Sequence, residues 1–210
     1  MVYKYVVFDW DGTLADTYPV LSAAYDYAFT KLNMPSISYD EVKRITSTLQ
    51  NRDTLGCMFG EKKEEAAKYF YEYIEKHHTE KLLPFDGAKD VLEYCKNSGK
   101  LIYLITNKSK QYIHDEIKIL GFEKYSKKVV AAKEYEYDKP HPIACQAIFD
   151  YKLPPAEEII VIGDGDADVK TAEALGGADS IICDTKDKYV GSKPTYKIKN
   201  IAEAIKILEK

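Results

Sequence analysis

Three short runs of apolar and aromatic residues constrain this chain more than any other feature. Tyr5-Val6-Val7-Phe8, Leu101-Ile102-Tyr103-Leu104-Ile105 and Ile159-Ile160-Val161-Ile162 contain no charged residue. Each stops where chemistry begins, at Asp9, at Thr106 and at Gly163-Asp164. A strand wetted on one face alternates polar with apolar, whereas a strand covered on both faces reads as a continuous run, the signature of a parallel sheet. Val129-Val130-Ala131 and Ser180-Ile181-Ile182-Cys183 are weaker runs of the same kind. Helix patterns lie between them: residues 87–98 with Asp86 as N-cap and Gly99 as stop, residues 110–120 between Ser109 and Gly121, a segment from Asp166 to Gly176-Gly177, and Ile201 to Leu208 at the end. Strands alternating with helices predict an α/β fold with right-handed crossovers.

One stretch breaks the alternation. From Leu14 to Leu101 no strand is expected, although a parallel crossover needs only about a dozen residues or more. Leu21, Ala24, Tyr25, Ala28, Phe29 and Leu32 share one helical face, Ser38-x-x-Glu41 forms a capping box for a second helix, and Glu61 to His77 gives a third with Ala66, Phe70, Tyr73 and Ile74 inward. Leu83-Pro84-Phe85 then leads back. The expectation is an all-helical insertion of about 70 residues, too long for a structureless loop. It occupies residues 16–85 and divides a core made of residues 1–15 and 86–210.

Composition narrows the function classes. The 210 residues are 45% hydrophobic and 30% charged, with a net charge of −4 and no basic run, so a nucleic-acid partner is not expected. No apolar stretch approaches the roughly 18 residues of a membrane span. The N-terminus enters the first strand without a charged leader or apolar signal region, and Cys57, Cys95, Cys145 and Cys183 form no C-x-x-C pair. Free, mostly buried thiols and a cytoplasmic location are therefore expected.

The chemistry sits at the strand ends. Asp9 and Asp11 are two apart and would share a face if the strand persists, with Trp10 pointing away and Gly12 letting the backbone turn. Asp164-Gly165-Asp166-Ala167-Asp168 follows another buried strand. Strand C-termini line the ligand crevice of open α/β sheets, so both clusters and Thr106 should meet. Crowded carboxylates raise one another's pKa unless a cation intervenes, and an all-oxygen donor set selects Mg2+ ahead of Ca2+ or Zn2+. Mg2+ pairs naturally with a phosphate, and Lys139 in Asp138-Lys139-Pro140 supplies a mobile positive charge. A calcium loop fails, because counting from Asp9 or from Asp164 puts Leu14 or Val169 where its glycine must be. Gly163-Asp164-Gly165 lacks the third glycine of a dinucleotide fingerprint, and the four histidines show no metal or triad spacing.

Phe8-Asp9-Trp10-Asp11-Gly12-Thr13-Leu14, Thr106-Asn107, Lys139-Pro140 and Gly163-Asp164-Gly165-Asp166-Ala167-Asp168 together resemble the four ordered motifs of the haloacid dehalogenase-like (HAD) phosphohydrolases. The layout is similar to the phosphoglycolate phosphatase branch, and Asp16-Thr17-x-Pro19 resembles the start of its helical cap. The resemblance implies a Rossmann-like core and a Mg2+-dependent phosphatase working through an aspartyl-phosphate on Asp9. It implies that Asp11 is general acid and base, that its carbonyl and the Asp9 and Asp164 carboxylates hold the metal, and that Asp168 supports the metal site or orients Lys139. Thr106 and Asn107 would hold phosphate oxygens while Lys139 screens Asp9 and the phosphoryl group. The partner expected is a small phosphate ester, acted on by a monomer or homodimer. Arg52, with Lys43 or Arg44, is a candidate for a second anionic group of that ester. Two other activities compete: a sugar phosphomutase of the same fold, and a regulatory module that only accepts phosphate on Asp9.

Overall fold

A computed structural model describes residues 3–48, 54–185, 187 and 189–210. The chain forms two compact units: Met1–Asp16 with Pro84–Lys210, and Thr17–Leu83. In chain order the first unit begins with β1 (Tyr5–Phe8) and β2 (Ala15–Asp16). The second holds α1 (Tyr18–Lys31), α2 (Tyr39–Thr48), α3 (Thr54–Phe59), a 3₁₀ turn at Gly60–Lys62 and α4 (Lys63–His77). After β3 (Leu83–Pro84) the first unit resumes with α5 (Ala88–Asn97), β4 (Leu101–Ser109), α6 (Lys110–Ile119), β5 (Ser126–Ala132) and α7 (Pro142–Ala147). It ends with β6 (Ile159–Gly163), α8 (Asp166–Ala174), β7 (Asp179–Cys183), β8 (Tyr196–Ile198) and α9 (Ala204–Leu208).

The main sheet runs in the order β5-β4-β1-β6-β7-β8, and all its pairings are parallel. β1 is central, with Phe8 level with Leu104 on one side and Ile162 on the other. The strand order reverses around β1, so the crevice at its C-terminal end is the switch point where ligands enter such sheets. Both faces are covered, as the continuous runs require. Val7, Ile105, Ile159 and Val161 pack with Cys145, Ile148, Ala172 and Leu175, which come from the α7 and α8 side. Leu14, Trp10, Leu92, Ile102, Leu104 and Phe122 gather on the other face.

Several local expectations change. Gly87, not Asp86, precedes α5. Its φ of +83° is left-handed, and a Cβ there would run into Ala202, so glycine is required where a side-chain cap was expected. Asp86 instead accepts from the Asn200 amide at 3.4 Å. β4 continues four residues past its apolar run, through Thr106 and Asn107 to Ser109. The segment thought to lack strands contains β2 and β3, paired as a two-residue ribbon where the chain leaves the core and re-enters it.

Apart from Leu83 of β3, the described residues of the second unit hold only helices and their connections, and its aromatic residues fill it. Tyr25 and Phe70 have ring centroids 4.6 Å apart, Phe29 and Phe59 4.3 Å, and Tyr27 and Tyr73 5.5 Å. Ala24, Tyr25, Ala28 and Phe29 are the buried stripe of α1, facing Ala66, Phe70 and Ile74 of α4, while Leu21 and Tyr73 are only half-buried. The Ser38 hydroxyl accepts from the Glu41 N–H at 3.2 Å, as its capping role predicts. Among the described residues no helix is long and apolar enough to cross a membrane. The thiols are free, with Cys95, Cys145 and Cys183 buried and Cys57 exposed.

Candidate active site

β1 ends at Phe8, so Asp9 and Asp11 do not share a strand face as they would on an uninterrupted strand. The Asp9 N–H continues the ladder once, donating to the Ile162 carbonyl at 2.9 Å. The chain then tightens into a turn, with Leu14 and Ala15 N–H groups both donating to the Trp10 carbonyl at 3.0 Å and Gly12 N–H to Ala15 at 3.0 Å. Gly12 has φ +83°, and a Cβ at this position would overlap the Asp164 carboxylate. Both its conformation and the approach of Asp164 therefore require glycine.

Beyond this turn, one ammonium joins the end of β1 to the first turn of α8. Lys139 Nζ lies 2.5 Å from Asp9 Oδ1 and 2.7 Å from Asp168 Oδ1. Asp168 stands in the first turn of α8, and its Oδ2 accepts the N–H groups of Asp164 (3.2 Å) and Gly165 (3.0 Å). One carboxylate thus caps the helix and anchors the lysine. A Cβ on Gly163 would strike Asp168, which explains the glycine that closes β6. Lys139 itself precedes a cis proline, Pro140, and its carbonyl accepts from Asn107 Nδ2 at 3.0 Å. Thr106 is buried beside this point, its hydroxyl accepting the Lys108 N–H at 3.1 Å.

Ligand-capable oxygens of Asp9, Asp164 and Asp168 all lie within 4.8 Å of one another. Burial pushes the Asp9 carboxyl well above the ordinary aspartate range; Lys139 pulls it back, while Asp168 and Asp164 add to the push. Burial disfavours the Lys139 charge too, but Asp168 and Asp9 outweigh it and hold the ammonium above the ordinary lysine value. Three carboxylates face one ammonium, so a divalent cation among oxygen donors fits the deficit. Asp9, Asp164 and Asp168 could each offer it an oxygen, although both oxygens of Asp168 already serve Lys139 and the backbone.

Asp166 faces elsewhere. Its carboxylate pairs with Lys170 at 2.5 Å and accepts the Ser192 N–H at 2.6 Å. Burial raises its pKa, but those two partners more than offset the rise and leave it below the usual value. Two carboxylates of the acidic loop before Lys139 are turned onto neighbouring backbone N–H groups and a lysine. Glu134 accepts the Ala131 N–H at 2.8 Å and pairs with Lys110 at 2.6 Å, and Asp138 accepts the Lys133 N–H at 2.7 Å. Arg52 and the side chain of Lys43 lie outside the described residues, and Arg44 forks onto Glu41 at 2.6 and 2.8 Å.

The sequence reading missed two neighbours of Asp11. Lys108 Nζ lies 2.7 Å from Asp11 Oδ1 and 2.7 and 2.8 Å from the two oxygens of Glu116, a fully buried carboxylate. The signal for Glu116 was its place between Ile113 and Ile117, on the apolar face of the predicted helix.

Known proteins share this architecture. The chain matches the haloacid dehalogenase-like hydrolase family over residues 6–182. It is 26% identical over 186 residues to a phosphoglycolate phosphatase of Vibrio parahaemolyticus, covering 83% of this chain and 81% of the relative. It is 23% identical to the pyrophosphatase PpaX of Oceanobacillus iheyensis, covering 99% and 98%. The crystal structure of the HAD-hydrolase YfnB from Bacillus subtilis bound to magnesium superposes with a TM-score of 0.76 at 20% identity, covering all of both chains. With its parallel sheet, its inserted helices and its strand-end carboxylates, the chain belongs to the haloacid dehalogenase-like hydrolase family.

Proposed function

We propose that the protein is a Mg2+-dependent phosphatase that hydrolyses a small phosphomonoester of the phosphoglycolate class by way of an aspartyl-phosphate. The observation that carries this reading is the Lys139 ammonium held between Asp9 and Asp168, with Asp164 close by. A carboxylate nucleophile needs its charge screened from an anionic substrate, and the Lys139 ammonium beside Asp9 supplies that screening. The relatives described as a phosphoglycolate phosphatase and a pyrophosphatase support phosphoryl chemistry, and the magnesium of the YfnB structure supports the metal.

Asp9 forms the new bond to phosphorus while the ester oxygen departs, and Asp11 gives that oxygen its proton. In the second half, Asp11 takes a proton from water, the water oxygen bonds to phosphorus, and inorganic phosphate leaves as the Asp9–phosphorus bond breaks. Thr106 and the Asn107 backbone hold phosphoryl oxygens. Lys139 screens Asp9 from them, and Asp168 keeps Lys139 in place. The Asp9 and Asp164 carboxylates and the Asp11 carbonyl would hold Mg2+, which would supply positive charge to the phosphoryl group and favour the ionised form of Asp9.

A phosphate-release assay over phosphoglycolate, pyrophosphate, sugar phosphates and an aryl phosphate, with Mg2+ or with EDTA, tests the proposal. Release from phosphoglycolate that needs Mg2+ and disappears in Asp9→Asn supports it. Preference for pyrophosphate would change the substrate class, transfer between sugar hydroxyls would make the protein a mutase, and stable labelling without release would leave only a phospho-accepting module.

A further inference from the structure

The residue between the two aspartates has a fixed anchor. Trp10 is fully buried and packs edge-on against Phe122, with ring centroids 6.1 Å apart. Its Nε1–H donates to Glu116 Oε2 at 2.7 Å. Glu116, 0% exposed, in turn holds Lys108 with both oxygens, and Lys108 reaches Asp11 at 2.7 Å. The chain of contacts leaves the backbone at Trp10 and returns to the next residue, Asp11. It passes through α6 and the end of β4 on the way. Each link is within ordinary hydrogen-bonding distance.

Such a network is a poor way to gain stability. A buried ion pair loses hydration that its own attraction barely restores, and an apolar pair of the same volume usually does as well or better. What the pair does supply is direction. Glu116 cannot swing, because Trp10 fixes one oxygen, and it presents both oxygens to a lysine that is itself largely enclosed.

We propose that Lys108 and Glu116 are positioning residues for Asp11, holding its carboxyl where it can protonate the leaving oxygen. This rests on the phosphatase reading and extends it, since Lys108 and Glu116 act through Asp11 rather than on the substrate. A carboxyl that must meet a leaving oxygen within hydrogen-bond reach loses rate steeply when displaced, because general-acid help amounts to about a hundredfold or more.

The test measures kcat/KM, which reports on the half-reaction that phosphorylates Asp9, for phosphate esters whose leaving groups range from para-nitrophenol to simple alcohols. Aryl oxygens depart without a proton, whereas alcohols need one. Lys108→Met is expected to lower kcat/KM for alkyl esters by about 10- to 100-fold and for the aryl ester by less than about threefold. Glu116→Gln, which keeps an acceptor for Trp10, should show the same steepened dependence to a smaller degree, and Asp11→Asn should show it more strongly. The double variant Lys108→Met/Glu116→Gln leaves no lone buried charge, so it folds if the single variant does not, and it should show the steepened dependence too. An equal loss on every ester, or no loss, would overturn the positioning role while leaving the phosphatase reading intact. Wild-type protein inert on the whole series would overturn that reading and this inference with it.

Discussion

At the scale of single residues, the site is governed by how one ammonium is shared. Lys139 meets Asp9 and Asp168 with its side chain 5% exposed, so removing its charge strands two carboxylates in a dry place. Lys139→Met is therefore expected to lower stability by about 3–5 kcal/mol in EDTA, measured by urea unfolding, and to abolish phosphate release. Gly12 carries the opposite kind of constraint. In Gly12→Ala the new Cβ would displace the Asp164 carboxylate, and Mg2+ affinity measured calorimetrically should fall by about 10- to 100-fold. Gly12 was legible because it follows closely on an apolar run that stops at Phe8, and Lys139 because Lys139-Pro140 matches a motif of the family the chain resembles. Lys108 was passed over because nothing in its own neighbourhood marks it. Its partners, Asp11 and Glu116, come from a different strand end and from a helix, and only folding brings them together.

At the scale of elements, burial was legible and hydrogen bonding was not. The strand predicted to end at Ile105 runs to Ser109, which pairs with Ala132 of β5; its last four residues are polar whether covered or not, and an apolar pattern does not record them. α3 escaped for a related reason: six residues make less than two turns, too few for a 3.6-residue period to declare itself. α8 joins structure to chemistry, since Asp168 both caps its first turn and carries Lys139. The two duties can be separated. Asp168→Asn retains a neutral acceptor for the Gly165 N–H but loses the charge facing Lys139, so its thermal midpoint should stay within a few degrees while turnover drops at least about tenfold. Asp168→Ala loses the cap as well and should cost a further ~1 kcal/mol in denaturant unfolding.

At the scale of the whole molecule, the sheet order brings the ends of β1, β4 and β6 side by side, so residues more than 150 positions apart in sequence share one crevice. The parallel sheet and the helical insertion could be read from the runs and from the one long gap between them. The short β2–β3 ribbon could not, because two residues per strand leave no pattern. The carboxylate excess at the crevice predicts that Mg2+ stabilises the native core by mass action. At a hundredfold excess over its Kd the gain is about 3 kcal/mol, or about 5–10 °C in a chain of this size. Asp164→Asn should show little of that shift by calorimetry. The most direct test of the account as a whole is intact-mass and peptide analysis of Asp11→Asn protein quenched in acid during turnover of an aryl phosphate with Mg2+. The account predicts a hydroxylamine-labile phosphoryl group on the peptide bearing Asp9, absent from Asp9→Asn protein. Turnover with no covalent phosphoryl group, or with that group on another residue, would contradict it.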